Sequence, residues 1–532
     1  MIQKKQLEAD LAQIFGEDRV SVDPYELAHY VRDIAELPGM THLLFKMKPL
    51  AVVLPNSIEE ISSLINYCII HKIPIIPRGA ATSGYGGAIP VTEGIIVDIR
   101  GLDRILKLDE ENLTVLVESG VVWEELLEYL ERRGFTLRSY PSSARSSTVG
   151  GWVAEGGTGI GSLKYGDVKA QVNSLEVVLP NGEVINTATG IPSLEISDNV
   201  TKYFTESEGI LGIITKIELR IKLKTALKKF VTVFQSLESL YSCIMELVEQ
   251  TTPYHIHFME KDYVNFKIAV KGEEKLPKNN YISLIVYEDD PDLESNVNKF
   301  NEIVELNNGN VLNIEIAEAE WKERFYPMRI KRLGPSFVPS EVYVPLSNLK
   351  DFILELLKKF KNERLGIEGI VSSNKNAVVM TFFLDDERKQ IPFLMGFYRS
   401  FEVVTTAIDF EGKVYGIGIW LAKFAEKYFG KEHLAELKTL KSRLDPHKVV
   451  NPNKMFDVST RFGVSLNPML TLSVPLLRIG RKFFPPSRHP IFGIILLLII
   501  TIAIISGVFW VLSTFFNIEL IDLASVLLGG EY

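Results

Sequence analysis

Four stretches of small residues, spaced along one half of a 532-residue chain, constrain its fold more than any other feature. The first is Pro77-Arg78-Gly79-Ala80-Ala81-Thr82-Ser83-Gly84-Tyr85-Gly86-Gly87-Ala88, a loop that leaves an apolar strand. Small side chains let backbone N–H groups approach a phosphate closely, and consecutive N–H groups form an anion nest. Thr82 and Ser83 add hydroxyl donors. Alone, such a loop is also an ordinary glycine-rich turn. Here a second stretch follows, from Tyr140-Pro141-Ser142-Ser143 through Ser146-Ser147-Thr148-Val149-Gly150-Gly151. The third runs from Gly156 through Gly157, Gly159 and Ser162 to Tyr165 and Asp167. The fourth, Ser207 to Thr215, enters a strand through Ile213 and Ile214. A Rossmann site built on Gly157 and Gly159 needs a helix opening on its last glycine, and Ser162-Leu163-Lys164-Tyr165-Gly166 does not read as a helix start.

The segments around these loops alternate in period. Residues 4–15 form an amphipathic helix pattern. Leu50–Leu54 reads as a strand. Ser57 then caps a helix with Glu59 and Glu60 in its first turn and apolar positions at Ile61, Leu64, Ile65 and Cys68. A strand at Ile73–Pro77 completes a βαβ unit. Further strands are expected at Ile95–Ile99, Thr114–Glu118, Leu175–Leu179 and Val184–Ile185, the last two joined by the Asn181-Gly182 turn signal. Glu124–Arg133 reads as a helix closed by Gly134. From about 226 to 410 a second block is expected to pack helices (237–249 and 349–361) on an antiparallel sheet. Its strands are predicted at His255–Met259, Tyr281–Tyr287, Glu341–Pro345, Ala377–Phe383 and Val403–Ile408. Helices at about 418–429 and 432–443 follow.

Composition narrows the class. Charged residues at 23% and hydrophobic residues at 46% favour folding over disorder, and the length suits two or three units. A net charge of −9 argues against a nucleic-acid binder. The two cysteines, Cys68 and Cys243, lie in no metal-binding or disulfide pattern. Ile491–Phe516 contains no charged residue and exceeds the about 20 apolar residues that span a bilayer. A buried core helix is the alternative. Arg478, Arg481, Lys482 and Arg488 precede this run and only acidic residues follow it, so the positive-inside rule keeps the large N-terminal part in the cytoplasm.

In order and spacing, RGAATSGYGGA, PSS…SSTVGG, GSLKYGD and SEGILGIIT resemble the FAD-binding domain of the vanillyl-alcohol oxidase and p-cresol methylhydroxylase superfamily. Within it the sequence is most similar to the branch that holds the flavin-binding component of glycolate oxidase and the D-lactate dehydrogenases. The closing motif of that branch resembles Leu444-Asp445-Pro446-His447-Lys448-Val449-Val450-Asn451-Pro452. The resemblance implies FAD in the cleft between the two blocks. The loop Arg78, Gly79, Ala80, Ala81, Thr82, Ser83, Gly84 would wrap the pyrophosphate. Pro141, Ser142, Ser146, Thr148, Gly150 and Gly151 would line the flavin and ribityl chain. Gly157, Gly159, Ser162 and Tyr165 would complete the cleft, Ile213 and Ile214 would face the adenine end, and Asn451 would lie near the flavin. The first loop has no histidine, so the FAD is expected to be non-covalent.

The sequence departs from that branch at the substrate end. The family's histidine-rich metal motif aligns with Gly366-Ile367-Glu368-Gly369-Ile370, which has no histidine. Its Glu-His pair falls on Val414-Tyr415. No metal is therefore expected. Tyr415 is the candidate for the lost base, although a phenol near 10 suits proton abstraction at neutral pH poorly. Arg329, then Arg324, is the candidate carboxylate clamp, because a guanidinium fork matches a carboxylate. His255 and His257 alternate on one strand and share a face; they are either ordinary strand histidines or groups that reach substrate.

The expected architecture is α+β: an N-terminal helical segment (1–45), a two-subdomain FAD-binding domain of the p-cresol methylhydroxylase type (46–225) and an α+β substrate cap with an antiparallel sheet (226–410). A helical segment (411–456) then returns to the FAD domain, followed by a linker (457–490), one transmembrane helix (491–516) and a short tail (517–532). The expected function is membrane-anchored, FAD-dependent oxidation of a small alcohol, foremost a 2-hydroxy acid, with electrons passed to quinone or an iron–sulfur partner. The alternatives are another alcohol (polyol, aldonolactone or lipid-like) or an electron-transfer subunit of a membrane complex.

Overall fold

The computed structural model describes residues 3–35, 41–271, 275–334, 336–386, 388–456 and 458–483. The first layer is a small sheet of β1 (Val20–Ser21), β2 (Ala51–Val53), β3 (Ile75–Arg78) and β4 (Ile95–Asp98) in the order β1-β2-β4-β3. β2 and β3 both run parallel to β4, as βαβ connections require. The helix Ile58–His71 crosses between β2 and β3. Its Ser57 hydroxyl accepts the Glu60 N–H, and Ile61, Leu64, Ile65 and Cys68 are the residues it buries, as their spacing predicts. The helix Lys4–Phe15 packs on it through Leu7, Leu11 and Phe15.

The second layer is antiparallel: β5 (Ile105–Asp109), β6 (Thr114–Glu118), β7 (Phe135–Leu137), β8 (Val172–Val178), β9 (Val184–Asn186) and β10 (Ile213–Leu223). β10 is its spine, pairing with β6, β7 and β8. Gly182 turns the β8–β9 hairpin with φ +83°, the left-handed region where glycine carries no side-chain penalty.

The third layer is an antiparallel sheet of eight strands. β11 (Leu227–Phe234), β12 (His255–Met259), β13 (Tyr281–Glu288), β14 (Asn310–Val311), β15 (Ser336–Pro345), β16 (Leu365–Ser372), β17 (Asn376–Asp385) and β18 (Lys413–Val414) lie in the order β14-β11-β13-β12-β16-β17-β15-β18. Helices Leu237–Gln250, Lys261–Lys271, Leu293–Leu306, Ile314–Glu323 and Leu349–Lys359 pack around it. Both cysteines are buried and free.

The chain then returns to the first layer. Asp445 accepts the backbone N–H groups of Val449 and Val450 at 2.8 and 3.0 Å, which bends the segment back. The Ile75 N–H donates to the Val449 carbonyl, and the Asn451 N–H donates to the Ile75 carbonyl, both at 2.7 Å. The C-terminal segment thereby extends β3 at the edge of the first sheet.

Three sequence expectations need correction. Val403–Ile408 is not a strand; it belongs to the helix Tyr398–Asp409. The β-branched run suggests a strand, but Val403, Val404, Thr406 and Ala407 are buried at helical spacing, and the helix packs against β15. The described part of the expected linker is not a plain connector either. It holds an 18-residue helix, Leu466–Phe483, which tolerates Pro475 and packs on the helices Gln390–Gly396 and Tyr398–Asp409. Ser162–Tyr165 does form a single helical turn. The uncharged run 491–516 and the tail 517–532 lie outside the described residues. Among the described residues no helix is long and apolar enough to cross a membrane.

Candidate active site

A cavity of about 660 Å³ lies between the cap sheet and the first two layers. That is within the range of roughly 300–1,000 Å³ usual for cofactor and ligand sites. One wall is built from the small-residue loops. Arg78 to Gly84 all line it, as do Pro141, Ser142, Ser146, Thr148, Gly150, Gly151, Gly159, Ile213 and Ile214. Among the described residues, the backbone N–H groups of Ala80 to Gly84 donate to no other part of the protein, so this loop offers unsatisfied donors to an anion. The close approach of the loops is what demands glycine. A Cβ on Gly79 would lie 2.4 Å from Thr148 Oγ1, and one on Gly150 would lie 2.6 Å from Ser119 Cβ.

Several expected residues hold this wall rather than form it. The Arg78 guanidinium is spent on the carbonyls of Tyr30, Arg32 and Ala88 and stacks over the Tyr30 ring, so it pins the first loop. Gly157, Ser162, Tyr165 and Asn451 do not line the cavity. Gly157 packs flat against Trp152, where a Cβ would meet the indole. The Ser162 hydroxyl accepts the Gly159 N–H at 2.9 Å. Tyr165 points to the cap, donating to Glu288. The Asn451 amide donates to the Glu208 carbonyl at 2.8 Å and buttresses the fourth loop.

The opposite wall comes from the cap: His255, His257, Tyr263, Leu284, Glu341, Glu368, Ile370, Val378 and Met380, with Arg324 to Arg329 and Arg332 at one end. Tyr415 also lines the cavity, but its hydroxyl is occupied. It donates to the Thr158 carbonyl and accepts the Thr158 N–H, each at 3.0 Å, while its ring stacks on Tyr343. Burial, then the neighbouring Glu341, raises its pKa well above 10. Tyr415 thus ties the cap to the third loop and is a poor base. Arg329 pairs with Glu323 at 2.8 Å and stacks on Tyr326. Arg324 donates to the Tyr140 hydroxyl and the Trp321 carbonyl and has no carboxylate partner among the described residues. Of the two arginines, Arg324 is thus the one whose guanidinium carries no acid.

Among the described residues six carboxylates line the cavity and none is an acid–base candidate in the sequence; Glu320 and Glu323 are paired with Lys267 and Arg329, which leaves four. Burial pushes Glu341 up to about 8, and the Tyr85 hydroxyl donates to it at 3.2 Å. Burial, then Glu208, raises Glu155, to which Ser83 donates at 3.2 Å. Burial also raises Glu208, which accepts the N–H groups of Ile417 and Gly418. Glu368 accepts a hydrogen bond from His257 Nε2 at 2.9 Å. Glu155 and Glu208 stand at the edge of, or inside, the small-residue stretches, where the glycines and not the acids carry the signal; at 341 and 368 the signal is a single acidic residue inside an otherwise apolar strand.

Loops with open backbone N–H groups facing a wall of carboxylates, histidines and arginines across one cleft define a two-domain protein that holds an anionic ligand between its domains. The family models agree: "FAD binding domain" matches residues 49–188, and "FAD linked oxidases, C-terminal domain" matches residues 226–455. The chain belongs to the FAD-linked oxidases, and FAD is its cofactor. It is 27% identical over 437 residues to the glycolate oxidase subunit GlcD of Bacillus subtilis (strain 168), covering 78% of this chain and 91% of that protein. It is 26% identical over 441 residues to the D-lactate dehydrogenase of Anaerostipes hadrus, covering 77% and 90%. Among solved structures, p-cresol methylhydroxylase with substrate bound shares the fold with a TM-score of 0.72 at 17% identity, covering 87% of this chain and 97% of that one.

Proposed function

We propose that the protein dehydrogenates a small 2-hydroxy acid to the 2-oxo acid. The observation that carries this reading is the pairing, across one cavity, of the anion-ready loops with a wall that offers an acid-free Arg324 and a histidine–carboxylate pair. FAD would accept the two electrons and the hydrogen removed from carbon. Its pyrophosphate would rest on the backbone of Gly79–Gly84. Pro141, Ser142, Ser146, Thr148, Gly150 and Gly151 would flank the flavin and ribityl chain, with Ile213 and Ile214 toward the adenine. No histidine stands in the first loop to attach it covalently. Arg324, seconded by Arg329, would hold the substrate carboxylate. Val270, Met328, Ile370, Val378 and Met380 add apolar lining that favours an acid with an apolar side chain over glycolate. The Val414-Tyr415 replacement favours, as a second reading, another alcohol held in the same place.

The same reading puts the protein at the cytoplasmic face of the cell membrane, passing electrons to quinone or an iron–sulfur partner. The helix Leu466–Phe483 exposes Leu472, Leu476 and Ile479 on one face, after exposed Phe462 and Val464 and close to Arg478. An apolar stripe with adjacent cations suits a lipid interface, and the uncharged run 491–516 follows it. The full-length protein is expected to pellet with membranes at high salt, and a version ending at residue 483 to be removed from them by salt.

The decisive experiment is anaerobic. Purified, FAD-loaded protein is mixed with D- and L-lactate, D-2-hydroxy acids of longer carbon skeleton, glycolate and a polyol panel while flavin absorbance is followed. Bleaching by a 2-hydroxy acid is expected. Bleaching by a polyol alone transfers the assignment to the second reading, and none at all overturns both.

A further inference from the structure

We propose that His257, held by Glu368, takes the hydroxyl proton of the substrate, a role that rests on the 2-hydroxy acid reading. The cap sheet aims this pair at the cavity. In register, His257 on β12 stands opposite Leu284 on β13 and Ile370 on β16, and Ile370 stands opposite Val378 on β17. All four line the cavity. Glu368 lies two residues before Ile370 on the same face of β16, next to His257.

The pair has the parts of a general base. Glu368 is 5% exposed, and its Oε2 lies 2.9 Å from His257 Nε2. A carboxylate there accepts, so Nε2 carries the hydrogen and Nδ1 keeps the lone pair. The carboxylate also stabilises the imidazolium that forms when Nδ1 is protonated. Among the described residues no third His, Cys, Asp or Glu completes a metal site with the pair.

The other candidates are unsuited. Tyr415 has both hydroxyl interactions committed to Thr158. His255, two residues away, is buried with Nδ1 unpartnered, and burial pushes it down to about 3, so it is too weak a base to take a hydroxyl proton at neutral pH. Glu341 keeps its own proton up to about 8. The titratable and charged groups that share the cavity with the pair include His255 on the same strand, Tyr263 on the helix Lys261–Lys271, Arg324, Glu341, Lys267 paired with Glu320, and Arg329 paired with Glu323.

In the step, the substrate O–H bond breaks and its proton bonds to His257 Nδ1. The carbinol C–H bond breaks as the carbon–oxygen double bond forms, and bound FAD would supply the acceptor for that hydrogen and its electron pair. The balance is one proton to the histidine, with two electrons and one hydrogen left for the cofactor to take. Glu368 is a positioning residue.

The test compares wild type, His257→Gln and Glu368→Gln as full-length, FAD-loaded proteins, with two readouts. The first is calorimetry of oxalate, a non-reacting dianion, across pH 5.5–9 in buffers of different ionisation heat. Below pH 7, where Glu341 already holds its own proton, wild type is expected to take up a proton on binding and H257Q to take up none. E368Q keeps the uptake but shifts it to lower pH, which loss of packing alone does not do. The second readout is flavin reduction by the acid that wild type oxidises. H257Q is expected to slow it by about 10²- to 10⁴-fold at unchanged FAD content. H257Q with undiminished proton uptake and rate overturns the proposal and leaves the 2-hydroxy acid reading standing. A wild type that binds no oxalate and is bleached by no 2-hydroxy acid overturns that reading, and the dyad with it.

Discussion

Arg78 and Gly79 stand side by side in the first loop and do opposite work. Arg78 spends its donors on three carbonyls, and Gly79 clears space for a neighbour's hydroxyl. That hydroxyl, Thr148 Oγ1, also caps the helix Val149–Glu155 by accepting the Gly151 N–H at 3.2 Å. Gly79→Ala forces Thr148 off its cap or the first loop outward. Overpacking of this kind costs about 1–3 kcal/mol, so FAD affinity is expected to weaken by roughly 10- to 100-fold, measured by fluorescence titration of the apoprotein. The cofactor wall is legible in the sequence because its residues come in local runs: of the first two groups assigned there, every member lines the cavity. The acid–base wall is not. His257 and Glu368 are 111 positions apart and meet only because β12 pairs with β16. Nothing within either segment announces the other.

Among the elements, the helix Leu466–Phe483 is the clearest departure from expectation, and its seat explains it. Arg399 is fully buried and donates to Asp385, to Glu363 at 2.7 Å and to the Gly396 carbonyl at 2.9 Å. Arg481, from the C-terminal helix, reaches the same Glu363 at 3.2 Å and the Pro392 carbonyl at 2.9 Å. Two arginines thus share one acidic pair, and the helix docks where a proline and basic residues suggest a connector. Removing one partner of a buried ion pair strands the others, at a cost of about 3–5 kcal/mol. Arg399→Ala is expected to lower the thermal unfolding midpoint by several degrees. Arg481→Ala is expected to lower it less and to expose the helix to limited proteolysis first. The other expected strands and helices follow the apolar period, apart from the single helical turn at Ser162–Tyr165. The failure at Val403–Ile408 arises where β-branched residues sit on a helix that tertiary packing supports.

At the scale of the whole molecule, Glu341 makes the junction between the domains sensitive to pH. It sits on cap strand β15, takes a hydrogen bond from Tyr85 of the first loop, and has Glu368 and Tyr415 close by. Its folded pKa of about 8 lies above the ordinary 4.5. The native protein therefore holds this proton where the unfolded polypeptide has lost it. The stabilisation is complete below about 4.5 and is lost as pH rises through about 8. The unfolding midpoint of the FAD-loaded protein is expected to decline across that window, and Glu341→Gln to flatten the decline; an unchanged slope in the variant assigns it to another group. A different consequence follows from the strap at Val449–Asn451, which closes the outer edge of β3. On the ribosome, all four glycine loops emerge more than two hundred residues before their last support does. Until then β3 travels with a bare edge, which is a ready template for pairing with another nascent polypeptide. That edge stays open to such pairing until residues 449–451 have been made.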